Sequence, residues 1–208
     1  MRKTYWLGLG MLISQAVVGV SSVSAHRVAE DLRLGLGTDV VQYSELKIEE
    51  DGGAERESET LSIGLLDNVL FSVGYAFTER WVFDVDLGLN LVNHEQGGAE
   101  LDITRLSLIP GVEYMLGLGD VRAFVGGDVG VTVHNQDDGS DETSSTVFLV
   151  GAKIGTHAFL SDTFSISPAA FFRYHTGSGT AELSQGGERD FDVSGFDVGV
   201  SATFSGWI

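Results

Sequence analysis

The sequence predicts an all-β fold: an eight-stranded antiparallel up-and-down transmembrane β-barrel, following a cleaved signal peptide. Three observations carry this. Apolar and polar residues alternate with a period of two in eight separate segments. The connections between those segments alternate strictly between long and short. After the N-terminal leader, no apolar run reaches the roughly 18 residues that a spanning helix needs. A mature chain that crosses a membrane must then do so as a closed barrel, the other structure that satisfies every backbone polar group internally.

Residues 1–25 read as the leader. Arg2 and Lys3 are its positive start, an apolar stretch follows, and Val23-Ser24-Ala25 offers the small residues of a cleavage site. The expected mature domain is residues 26–208. Without Arg2 and Lys3 it keeps ten basic against 30 acidic residues, a net charge of −20, so nucleic acid is excluded as a partner. The absence of Cys excludes a disulfide framework and thiolate metal sites. Abundant Gly, at 28 residues, with only 2 Pro suits strands that approach closely.

The expected strands are residues 32–41, 61–77, 81–91, 103–116, 121–134, 146–160, 164–175 and 191–204. Residues 81–91 show the pattern best. Trp81, Phe83, Val85, Leu87, Leu89 and Leu91 share one face, and Asp84, Asp86, Gly88 and Asn90 the other. In residues 103–116 the phase changes, which predicts a bulge near Arg105. Residues 78–80, 117–120 and 161–162 are short turns, whereas residues 44–59, 93–100, 135–145 and 176–190 read as long polar loops. A meander places all the long loops at one end, the asymmetry of bacterial membrane barrels.

Alternation alone does not say which face meets water. The polar face is small and Gly-rich, with mixed and widely spaced charges, which fits a narrow interior better than a wetted surface. Arg33, Asp84, Asp86, Glu113, Arg122, Asp128, Lys153, Arg173 and Asp197 are the expected ion-pair network of the lumen. Aromatic residues gather on the apolar face in two bands. Tyr75, Phe77, Trp81, Tyr114, Phe159, Phe164 and Phe204 lie toward the short turns, and Phe148, Phe172, Tyr174 and Phe196 toward the long loops, as interfacial girdles require.

Three segments carry a family resemblance: residues 71–81 (FSVGYAFTERW), 108–117 (LIPGVEYMLG) and 123–131 (AFVGGDVGV). They resemble the OmpA/OmpX/OmpW-like superfamily of small outer-membrane β-barrels. The resemblance implies a place in the cell outer membrane, in contact with its lipid and lipopolysaccharide. It also implies that the barrel-assembly machinery reads the last strand. The family pattern there is met by Asp197, Gly199, Ala202 and Phe204, although Ser205-Gly206-Trp207-Ile208 follow the aromatic that usually ends the chain.

No segment supplies a catalytic or cofactor motif. Residues 173–178 resemble the His-x-Ser segment of lipid A deacylases, but Gly177 stands where the serine should be. His94, His134 and His175, with Asp137, lack metal-ligand spacing. Asp137-Asp138-Gly139-Ser140-Asp141-Glu142 lacks the ligand spacing of a calcium loop. The expected function is therefore non-enzymatic: a barrel plugged by ion pairs, with a structural or surface-interaction role and surface ligands met at the external loops. The alternative is a narrow porin-like channel for small or apolar solutes, and after it a lipid-A-modifying enzyme. No cofactor and no metal site are expected.

Overall fold

The computed structural model describes residues 30–50, 54–63, 69–96, 99–137, 139, 141–182 and 187–208. The expected leader and its cleavage site lie outside these residues, as do Asp138 and Ser140. Nine antiparallel strands form one sheet: β1 (Leu32–Glu50), β2 (Ala54–Ile63), β3 (Val69–Ala76), β4 (Trp81–Gln96), β5 (Ala99–Leu116), β6 (Val121–Asp137), β7 (Glu142–Ser161), β8 (Phe164–Glu182) and β9 (Glu188–Trp207). The first and last strands pair, from Arg33↔Trp207 to Glu50↔Phe191, and so close the ring.

Two strands share one position in that ring. On the edge of β1 that faces away from β9, β3 pairs with Leu32–Thr38 and β2 with Val41–Glu50. The expected strand 61–77 is thus two strands, joined through residues 64–68, which lie outside the described residues. A second correction concerns the long loops. Most of residues 44–59, 93–100, 135–145 and 176–190 are paired strand, not loop. Backbone pairing needs no apolar face. Where both faces of a ribbon meet water, the alternation that reveals a strand disappears.

The distribution of burial is inverted relative to a soluble protein. Leu36, Leu89, Phe148 and Ile154 are 57–60% exposed, while Arg122 and His157 are 0% exposed and Asp84 2%. Leucine and phenylalanine face outward as a belt, and the charged side chains turn to the axis. A water-soluble protein rarely exposes an apolar surface this continuous, so the belt is the lipid-facing surface.

Four irregularities shape the wall, one of them a register step between β7 and β8, from Phe159↔Ser165 to Ser161↔Phe164, that leaves Leu160 as an extra residue. Between β1 and β9 the register steps from Asp39↔Ser201 to Val41↔Val200, leaving Val40 as an extra residue. This bulge exchanges the faces of β1: Arg33, Gly35, Gly37 and Asp39 turn inward before it, and Gln42, Ser44, Leu46 and Ile48 after it. The bulge expected near Arg105 is absent. Arg105 pairs with Asn90 and His134 in unbroken register, and the phase change there marks a wetted ribbon, not an inserted residue. Pro110 and Pro168 sit where the β5–β6 and β7–β8 ladders skip residues, as the missing N–H demands.

Deleting Val40 takes out the extra residue and should leave Gln42, Ser44, Leu46 and Ile48 facing the axis in a regular ladder, so amide exchange across β1 should stay within about threefold of the wild type. A rise of about tenfold or more in residues 41–50 would refute the reading of Val40 as the inserted residue.

Candidate functional site

The candidate site is the barrel lumen, and its local construction is a pairing of large side chains with glycine. Arg33 lies opposite Gly74, Asp84 opposite Gly111, and Lys153 opposite Gly126. Phe124 lies opposite Gly155 and Phe171 opposite Gly199. A Cβ on Gly111 would stand 2.7 Å from Asp84 Oδ1, and one on Gly199 would stand 2.7 Å from Phe171 Cζ. Eight positions around a ring leave an interior only wide enough for side chains. Each bulky group therefore reaches the axis across a neighbour that has none.

Four of these side chains form a closed ring of alternating charge. Arg33 Nη2 and Lys153 Nζ both meet Asp84 Oδ2 at 2.8 Å. Arg33 Nη1 meets Glu113 Oε2 at 2.8 Å, and Lys153 Nζ meets Glu113 Oε1 at 2.9 Å. The four come from β1, β4, β5 and β7, so the ring spans the lumen from wall to wall. Two cations balance two carboxylates, which is the condition under which burial of charge is tolerated. His157 extends the network. Its Nε2 meets Glu113 Oε2 at 3.1 Å and its Nδ1 meets Ser167 Oγ at 2.7 Å. A carboxylate only accepts, so Nε2–H donates to Glu113, and Nδ1 shares a hydrogen bond with the serine hydroxyl.

Below this ring, toward the short turns, lies an apolar floor of Ala76, Val82, Met115, Phe159 and Trp207, each at most 3% exposed. Trp207 Nε1–H donates to Ser165 Oγ at 2.8 Å, and the Arg33 guanidinium stands 5.8 Å over its indole. Phe159 is thus not part of the outer girdle. It shares the phase of Lys153 and His157 and turns inward with them. The last strand also runs past Phe204, which faces lipid, to Trp207, which closes the lumen.

The other expected network residues fall into separate groups. Arg122 sits in the floor, 5.1 Å over Phe159, donating to Gly119 O at 3.0 Å and 3.7 Å from Glu79. Arg173 packs over Phe171 at 4.7 Å and lies 3.6 Å from Asp128. Asp197 accepts from His175 Nε2 at 2.6 Å. Asp86 is in no direct ion pair among the described residues but lines a central cavity of about 40 Å³ with Asp39, Ser72, Asp84, Lys153 and Arg173. That volume holds roughly two or three waters. Toward the outer end, Ile109, Leu149 and Val193 are buried and narrow the lumen again.

Sequence reasoning places His157 and Ser167 on the polar face but not in the network, and it misses Phe124, Phe171 and Trp207 as parts of this interior. Each lies on the inward phase of its strand, which was the available signal. Among the described residues, no group of three His, Asp or Glu side chains converges on a metal position. His134 and His175 stand on different strands, with His175 held by Asp197. The side chain of His94 lies outside the described residues.

Residues 13–204 match the sequence profile of the outer membrane protein beta-barrel domain. The chain belongs to that family. Two solved structures share its fold. One is the outer membrane protein OprG from Pseudomonas aeruginosa, with a TM-score of 0.54 and 12% identity, covering 88% of this chain and 99% of the other. The other is the outer membrane protein AlkL in DMPC lipid bilayers, with a TM-score of 0.53 and 16% identity, covering 90% of this chain and 95% of the other. No curated protein matches the sequence. As a member of this family, the protein resides in the outer membrane, where the apolar belt meets lipid and lipopolysaccharide.

Removing one member of the charged ring should be costly, and removing a balanced pair much less so. Arg33→Met is expected to destabilise the barrel by about 3–5 kcal/mol, because it leaves two buried carboxylates to one lysine. Adding Asp84→Asn restores the balance of Lys153 with Glu113 and should recover most of that loss. Urea titration in lipid vesicles measures both, and strictly additive losses would refute the coupling.

Proposed function

We propose that this protein is a non-enzymatic outer-membrane barrel with a closed lumen, whose role is to hold four β-ribbons at the cell surface. The observation that carries the reading is the stack of layers across the axis. An apolar floor, an alternating ring of charge, and the narrowing at Ile109, Leu149 and Val193 follow one another. Four inward groups bonded wall to wall act as a plug, and the ribbons beyond the belt carry the exposed, acidic surface on which ligands would act. On this reading residues 1–25 are the removed leader, and Asp197, Gly199, Ala202 and Phe204 are the part of β9 read during assembly.

Burial argues against an enzyme. Ser167, His157 and Glu113 form a hydrogen-bonded series, but they are 4%, 0% and 3% exposed, so no substrate carbonyl can approach the hydroxyl. His175 points inward, away from the lipid that a lipid-A-modifying enzyme must reach.

One observation favours a second reading, passage of apolar solutes sideways through the wall. β3 meets β4 only from Leu70↔Gly88 to Ala76↔Val82. Beyond Gly88, β4 continues to Gln96 paired with β5 alone, and β2 pairs with β1 alone, so among the described residues both facing edges lack a strand partner. Leu89, 60% exposed, stands at the start of this seam.

Planar-bilayer recording separates a plugged from an open lumen. The refolded protein is expected to add no steady conductance, and a stable large conductance would overturn the plug. Loading of an apolar fluorescent probe into cells with and without the protein tests the seam. Equal rates are expected if the wall is closed, and a clear acceleration without conductance would favour the second reading.

A further inference from the structure

At the short-turn end, on the lipid-facing side, three hydrogen-bond donors meet. Arg80 ends the turn of residues 77–80. Its N–H and that of Trp81 both donate to Thr78 Oγ1, at 3.2 and 3.0 Å, and its carbonyl accepts from Met115 N–H at 2.7 Å. The turn thereby aims the side chain at the neighbouring strand. Arg80 Nη1 donates to Tyr114 Oη at 2.8 Å, with the guanidinium 6.0 Å over the same ring. Trp81, the register partner of Tyr114, packs against that ring at 4.8 Å between centroids.

The charge of Arg80 has no ion-pair partner among the described residues, and the adjacent Glu79 faces Arg122 instead. Arg33, Arg122, Lys153 and Arg173 are all turned into the lumen, so among the described residues Arg80 is the cation left on the lipid-facing side of the short-turn rim. Tyr114 Oη accepts from Arg80, which leaves its own proton free to be donated outward. The cluster therefore offers guanidinium N–H groups, a phenol O–H and an indole N–H, and its planar cationic fork matches a phosphate. One rung into the membrane stand Phe83 and Val112, directly paired and 48% and 39% exposed.

We propose that Arg80, Trp81 and Tyr114 bind the phosphodiester headgroup of one phospholipid of the periplasmic leaflet, with its acyl chains along Phe83 and Val112. The site does not depend on whether the lumen conducts. Its ligand chemistry is a phosphodiester flanked by acyl chains, and it fixes the depth of the barrel at a defined point on the rim.

Native mass spectrometry of the full chain, refolded and released from vesicles of phosphatidylglycerol and diacylglycerol, tests this. The wild type should retain phosphatidylglycerol and not diacylglycerol. Arg80→Gln should lower retention by about tenfold, and Tyr114→Phe, which keeps the ring but loses the hydroxyl, by about threefold. Heat-modifiable gel mobility shows that each variant is folded, and the Tyr114→Phe result stands if Arg80→Gln does not fold. Equal retention by the folded variants, or equal retention of diacylglycerol, would overturn the proposal. Release of the lipid by millimolar inorganic phosphate would also overturn it, because it would indicate a simple anion site. Retention of phosphatidylcholine in place of phosphatidylglycerol would support it, since the two lipids share the phosphodiester.

Discussion

Everything inside this barrel depends on the charged ring of Arg33, Asp84, Lys153 and Glu113. A carboxylate or ammonium taken out of water carries a penalty of several kcal/mol, and neither partner of a single pair would meet it alone. Here each cation contacts both carboxylates, at 2.8–2.9 Å, so every charge has two opposite neighbours. The glycines opposite Arg33, Asp84 and Lys153 exist because of this ring. A side chain at Gly74, Gly111 or Gly126 would occupy the space through which the charged groups reach the axis. The lipid-facing belt in turn can be apolar because the charged groups turn to the axis.

The eight-position architecture was legible in the sequence because lipid imposes one apolar face on every spanning segment. Trp81 to Leu91 could hardly be read otherwise. Legibility ended where that constraint ends. Residues 44–50 and 54–59 form paired strands whose two faces are both wet, and they read as loop. The charged lining was legible as a set of residues, since inward phase follows from alternation. Which of them meet was not, because contacts across a lumen depend on strand register and on the Val40 bulge, neither of which leaves a local mark. Arg122 shares the phase of the network yet sits one layer lower, among Phe159 and Met115. Phe159 and Trp207 show the converse: aromatic residues that suggest a girdle, but whose phase places them in the floor.

The wall is also less uniform than a plain meander suggests. β2 and β3 share one edge of β1, Val40 exchanges the faces of that strand, and two prolines interrupt ladders on single edges. These features gather in the upper half of the ring and around its lining, while the short-turn end has one register step, at Leu160 between β7 and β8. The lower half is thus a braced cylinder and the upper half a set of ribbons extending from it.

The pairing of β1 with β9 joins the first described strand to the last, Arg33 with Trp207. No fragment that lacks β9 can complete the cylinder, so its closure must wait until β9 has been made. The charged quartet draws on β1, β4, β5 and β7, and it too has no finished surroundings before that moment. Contacts of such long sequence separation make for slow maturation. Until the two strands meet, each keeps an edge of unpaired backbone donors and acceptors, the part of the sheet most open to mispairing.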